Sequence, residues 1–95
     1  MIVVGAHTQA FIDGLNRKFG DKYRFSAMPG RKYDRIVQES ASGSKNRSVH
    51  AFIDSEGNIY KAAGWSAPAK GVRFYTVDSA LYNADPYGSY LYARR

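Results

Sequence analysis

The segment Asp54-Ser55-Glu56-Gly57-Asn58 constrains this chain more than any other. It separates two apolar-rich runs, Val49 to Ile53 and Ile59 to Trp65, and its glycine supplies the positive φ that a type I turn closed by a bulge requires. A β-hairpin follows. With Asp54 opposite Asn58, Ile53 meets Ile59, Phe52 meets Tyr60 and His50 meets Ala62. One face then carries Val49, Ala51, Ile53, Ile59 and Ala63; the other carries Ser48, His50, Phe52, Asp54, Asn58, Tyr60 and Ala62. The aliphatic face suits a covering helix, and the aromatic, polar face is left half free for a ligand. Lys61 falls on the aliphatic face in this register, so it either snorkels at an edge or marks a register off by one.

Upstream, Thr8 stands where it can cap a helix over about residues 8–19. Phe11, Leu15 and Phe19 fall at i, i+4 and i+8, Ile12 joins the stripe, and Gly20 is placed to stop it. Gly14 weakens this helix by about 1 kcal/mol relative to alanine, so packing of the stripe must hold it. From Tyr23 the period changes to two, giving a strand through Ala27 that Pro29-Gly30 turns. A second strand, Lys32 to Glu39, carries Tyr33, Ile36 and Val37, and Ser40-Ala41-Ser42-Gly43-Ser44 reads as a mobile loop. Beyond the hairpin, Ser66 to Gly71 is a connection, Thr76 opens a short helix over about Val77 to Ala84, and Asp85-Pro86-Tyr87-Gly88 ends it. Tyr90-Leu91-Tyr92 reads as a last strand. The order α-β-β-β-β-α-β implies a single α+β domain over residues 1–95, an antiparallel sheet of about five strands with one or two helices on one face.

The chain has 95 residues and no cysteine, which removes a disulfide framework, a thiolate zinc site and a thiol nucleophile and fits the reducing cytoplasm. Near the N-terminus the longest apolar run, Ile2-Val3-Val4, is far short of a membrane span or a signal-peptide core. So short a chain has a thin core, and self-association into a homo-oligomer stays open as a source of added stability. Lys and Arg number 14 against 8 Asp and Glu, for a formal charge of +6 and a pI of about 9.7. The partner this implies is anionic.

Catalytic equipment is sparse. Only His7 and His50 titrate near neutrality at reference values. His50 and Asp54 share a strand face but stand about 13 Å apart at the usual rise, so no serine triad is indicated. His50 as a general base in phosphodiester chemistry, with Lys61 or Arg73 as electrostatic stabiliser, is the minor reading; the main one assigns no catalytic residue. No pair of histidines has metal-ligand spacing, the G-x-x-x-x-G-K-[ST] run is absent, and no cofactor is implied.

What remains is charge interleaved with rings. Arg31-Lys32-Tyr33-Asp34-Arg35, the pair Lys45 and Arg47, and then Lys61, Lys70 and Arg73 hold 8 of the 14 cations, among Tyr33, His50, Phe52, Tyr60 and Trp65. They supply donors for phosphate and flat faces for bases. The expected ligand-binding set is Arg31, Lys32, Tyr33, Arg35, His50, Tyr60, Lys61, Trp65, Lys70 and Arg73. The same aromatics also serve as core in a small sheet, and exposed Lys and Arg as solvation. Asp34 reads as a pairing partner for Lys32 and Arg35, Trp65 as a stacking lid or a plug for the core, and Arg94-Arg95 as a charged tail.

The blocks GRKYDRIVQES at 30–40, RSVHAFIDSEGNIYKAAGWSAPAKGVRF at 47–74 and GSYLYARR at the end resemble short uncharacterised proteins encoded by tailed bacteriophages, over about residues 29–95. That resemblance implies a host-cell cytoplasm and an accessory role, with no activity to carry over. The functional expectation is a non-enzymatic binder of an anionic nucleotide-type ligand, such as a sponge for a nucleotide immune signal. Its alternatives are a single-stranded nucleic-acid binder and a protein that blocks a host or defence protein by its surface.

Overall fold

A computed structural model describes residues 5–41 and 47–92. Ile2-Val3-Val4, Ser42-Gly43-Ser44 with Lys45, and Arg94-Arg95 lie outside the described residues. The elements are α1 (Ala6–Phe19), β1 (Tyr23–Met28), β2 (Tyr33–Ser40), β3 (Arg47–Asp54), β4 (Ile59–Tyr60), α2 (Val77–Asn83) and a 3-10 helix at Ser89–Leu91. The strands form one antiparallel sheet in the order β1-β2-β3-β4. The protein is thus α+β, a four-stranded meander with two helices. Among the described residues no helix is long and apolar enough to cross a membrane.

Apolar periodicity accounts for the packed side. Phe11 and Leu15 of α1 are fully buried against Phe25, Ile36, Ala51, Ile53 and Ile59, with Val77 and Ala80 of α2 and Leu91 closing the same cluster. Helix α1 begins earlier than the threonine signal indicates. Gly5 is its N-cap, and Thr8 sits inside the first turns with its hydroxyl buried and donating to Asp34 Oδ2 at 2.7 Å. Asp34 is therefore a partner of Thr8 and of the Gly30 amide, not of Lys32 or Arg35. Gly14 permits a close crossing, because a Cβ there would lie 2.4 Å from a terminal carbon of Leu81 in α2. Helix α2 starts at Thr76, whose side chain accepts from the Ser79 amide. At its other end Lys18 of α1 donates to Leu81 O at 2.7 Å, a cation at a helix C-terminus.

The hairpin forms in the expected register at its tip, with Ile53 opposite Ile59, Phe52 opposite Tyr60, and Gly57 at φ +89°. It departs further out. Strand β4 stops after two residues, so Ala62 bridges Pro68 and does not meet His50. The chain from Lys61 to Ala69 folds back as a loop closed by the Ala69 amide on Lys61 O at 2.7 Å, with Trp65 near its tip. Lys61 is the edge residue of the two alternatives: its Nζ donates to Ala62 O and lies 4.6 Å from the centre of the Tyr92 ring.

A second departure lies in β3. Ile36 pairs with Ala51 but Val37 pairs with Val49, so His50 is an extra residue, a β-bulge. Upstream of it the faces exchange. His50, expected beside Phe52, turns to the helix side, while Val49 goes to the other face with Val37. The expected fifth strand at Tyr90–Tyr92 is the 3-10 helix instead. There the Asp85 carboxylate accepts from the amides of Tyr87, Ser89 and Tyr90 and from the Ser89 hydroxyl, curling the backbone before it can extend.

Candidate functional site

Among the described residues, one face of the sheet carries no helix. Alternation outward from the buried positions gives it Arg24, Ser26 and Met28 from β1, Tyr33, Arg35, Val37 and Glu39 from β2, Arg47, Val49, Phe52 and Asp54 from β3, and Tyr60 from β4. Three rings pack at one end. Tyr33 stands edge-on to Tyr60 at 5.1 Å and to Phe52 at 6.3 Å between centroids. Phe52 is buried beneath them and Tyr33 and Tyr60 are half-buried. Phe52 is thus a packed residue of this cluster, while Tyr33 and Tyr60 keep part of their ring surface open.

The 61–69 loop lays Trp65 over the same face. The Arg35 guanidinium sits 5.1 Å and the Arg47 guanidinium 5.5 Å from its ring centre, within cation–π range. Arg35 Nε donates to Trp65 O at 2.7 Å, so the loop is tied down at both backbone and ring. Both arginines also reach the Met28 sulfur, Arg35 at 3.6 Å and Arg47 at 3.7 Å. Trp65 keeps 44% of its surface exposed. Two guanidinium groups are thereby held side by side under an exposed indole. The carboxylate nearest in register is Glu39, opposite Arg24 and Arg47.

Arg31 and Lys32 stand on the β1–β2 turn at the rim of this face. They line a shallow cleft of about 220 Å³ with Met28, Tyr33, Arg35 and Phe52, and Lys32 Nζ lies 5.9 Å from the Tyr33 ring centre. At the hairpin end, burial works against ionisation of Asp54. Hydrogen bonds from the Asn58 side chain and amide, the Tyr60 hydroxyl and the Glu56 amide outweigh it and hold the carboxyl below its usual range. Burial, with the bond to Asp54, pushes Tyr60 up to about 12, so its hydroxyl stays protonated.

Of the expected ligand set, Arg31, Lys32, Tyr33, Arg35, Tyr60 and Trp65 therefore share one face or its rim. His50, Lys61, Lys70 and Arg73 do not. His50 is only 6% exposed and lies behind the sheet, edge-on to Phe25. Gln38 donates its Nε2 to Pro86 O at 2.8 Å, which turns its Oε1 toward His50 Nδ1 at 3.1 Å. His50 thus carries its proton on Nδ1, and Nε2 accepts from the Tyr90 hydroxyl at 2.7 Å. Burial lowers its pKa to about 4 despite the opposing field of Asp85. The reading of His50 as a general base or ligand contact gives way to a core role, because both ring nitrogens are engaged away from the open face.

Arg73 is also structural. Its Nε donates to Leu91 O at 2.7 Å and its Nη1 to Lys70 O and Gly71 O at 2.9 and 2.8 Å, holding the connection against the C-terminal segment. Lys61 turns to Tyr92, as described. This second region borders a groove of about 650 Å³ lined by Arg73, Phe74, Asn83, Tyr90 and Tyr92. Arg47 and Met28 belong to the open-face site although the expected set omits them. Arg47 is detectable from its position in an alternating run, whereas nothing local in the sequence marks Met28 as the sulfur on which two arginines close.

The fold and site define a small α+β protein with a helix-free, cationic and aromatic sheet face. The chain belongs to a family of unknown function, DUF7717, whose model matches residues 4–93. No curated protein and no solved structure matches it.

Proposed function

We propose that this protein binds single-stranded nucleic acid without chemistry, through the open face of its sheet. The observation that carries the reading is the half-exposed Trp65 ring fixed over Arg35 and Arg47. Bases stack on an exposed ring whatever their identity, and guanidinium groups beside it neutralise the backbone. Rings and cations follow one another across this face, from Tyr60 and Tyr33 to Arg35, Trp65 and Arg47. Such a succession suits a strand. The cleft at the rim is smaller than the roughly 300–1,000 Å³ of small-molecule pockets, which favours this reading over an enclosed nucleotide at that face. The tailed-phage resemblance would set it in an infected host cell, as an accessory protein.

A second reading, a small nucleotide-type ligand such as an immune signal held by a sponge, is favoured by one observation. The 650 Å³ groove is ligand-sized and has Phe74, Tyr90 and Arg73 in its walls. Fluorescence anisotropy with labelled oligonucleotides and cyclic dinucleotides at two salt concentrations separates the readings. Strand binding expects an affinity for oligonucleotides that falls steeply with salt, with Arg35→Ala and Arg47→Ala each lowering the salt slope by about 0.7 to 1. Selective binding of cyclic dinucleotides with a shallow salt dependence would transfer the function to the groove. Binding of neither would overturn both and leave blockade of another protein.

A further inference from the structure

The chain closes the two edges of its sheet differently. Beyond β4 the return segment supplies partners: the Ile59 amide donates to Phe74 O, and the Arg73 amide to Ile59 O, both at 2.8 Å. Among the described residues, strand β1 has β2 on one side and no strand on the other. In an antiparallel ladder alternate residues turn their N–H and C=O away from the neighbour. Because Lys22 O accepts from the Ala41 amide, the even-numbered residues face β2. Tyr23, Phe25 and Ala27 present their backbone groups outward.

The central outward residue is already taken. Asn16 of α1 donates Nδ2 to Phe25 O at 3.0 Å, and its Oδ1 accepts from the Phe25 amide at 2.8 Å. A side-chain carboxamide bound at both points makes the same pair of bonds as the backbone of an added strand. Asparagine is a poor helix former, and its amide here reaches off the helix to the strand.

We propose that Asn16 is an edge guard, which occupies the outward-facing groups of Phe25 through which a second copy of this chain would add its own β1, and so keeps the protein monomeric. A second copy is the partner because antiparallel pairing of β1 with itself about Phe25 is self-complementary: Tyr23 of one copy meets Ala27 of the other under two-fold symmetry. An open edge is the usual template for such pairing. The proposal concerns the edge and stands whether or not the open face binds a strand.

The test combines wild-type hydrogen exchange with one variant. In the wild type, the Phe25 amide should exchange far more slowly than the equally outward amides of Tyr23 and Ala27, and sedimentation should show a monomer up to millimolar concentration. Asn16→Ala, folded by circular dichroism, should dimerise with concentration and bind a synthetic peptide of residues 22–28 that the wild type ignores. A wild-type dimer, a Phe25 amide as labile as its two neighbours, or a folded Asn16→Ala that stays monomeric and ignores the peptide would each overturn the proposal. Should Asn16→Ala fail to fold, the two wild-type measurements still decide it.

Discussion

At the scale of single residues the most informative is His50. Unfolded, it titrates near 6.5; folded, burial holds it at about 4. Between those values the unfolded chain binds more protons, so the stability associated with His50 is complete above about pH 6.5 and is lost as pH falls toward 4. The loss totals roughly 3 kcal/mol. Urea melts between pH 4 and 7 should show this limb, and His50→Gln should flatten it; an unchanged limb would contradict the buried neutral ring. The limb from Asp54 and Asp85 is separate, since both carboxyls lie below their ordinary value and their contribution is lost only as pH falls below 3.8. At Gly57, φ +89° and a would-be Cβ 3.1 Å from the His7 ring both oppose a side chain. Gly57→Val should cost about 1 kcal/mol or more, read as a lowered Tm. The turn glycine was legible because a five-residue hairpin loop states its own φ requirement. His50 was not legible, because the bulge that turns it inward is decided by how β2 and β3 pair, and an extra residue leaves no mark in alternating sequence.

Among the elements, the helix stripe and the hairpin tip were readable from period alone, and both are built as that period implies. The ends were not. Strand β4 gives way after Tyr60 because the return through Arg73 and Phe74 takes the outer side of Ile59. The alternation Tyr90-Leu91-Tyr92 imitates a strand, while Asp85, whose carboxylate gathers the following amides, dictates a turn. That signal was available, since aspartate ahead of Pro-Tyr-Gly favours such side-chain-to-backbone turns. Asp85→Ala should cost about 1–3 kcal/mol by leaving those donors without their acceptor, and faster amide exchange over residues 87–90 would report the loosening. Gly14, which sequence marks only as a weak helix residue, is where α1 and α2 approach. Gly14→Val should destabilise by about 1–3 kcal/mol through overpacking against Leu81. A Tm at or above that of the wild type would contradict the close crossing.

Across the whole molecule, charge and architecture divide the surface. The helices and the 3-10 segment cover one side of the sheet, leaving Arg24, Arg35, Arg47, the rim pair Arg31 and Lys32, and Trp65 on the other. Sequence indicated that cations and aromatics would meet, and six of the ten expected positions do. The remaining four separate from them because His50 is turned by a bulge, Arg73 is bound by three carbonyls, and Lys61 and Lys70 lie past the point where β4 ends. Face membership depends on register and strand length, which composition does not specify. The chain has one tryptophan, and it lies in the proposed site, so its fluorescence reports that site alone. Titration with a single-stranded oligonucleotide should quench Trp65 saturably, with a midpoint that moves to much higher concentration as salt is raised. An unaltered Trp65 signal while anisotropy shows the same oligonucleotide bound, or no binding at millimolar concentration in low salt, would contradict the assignment of the open face.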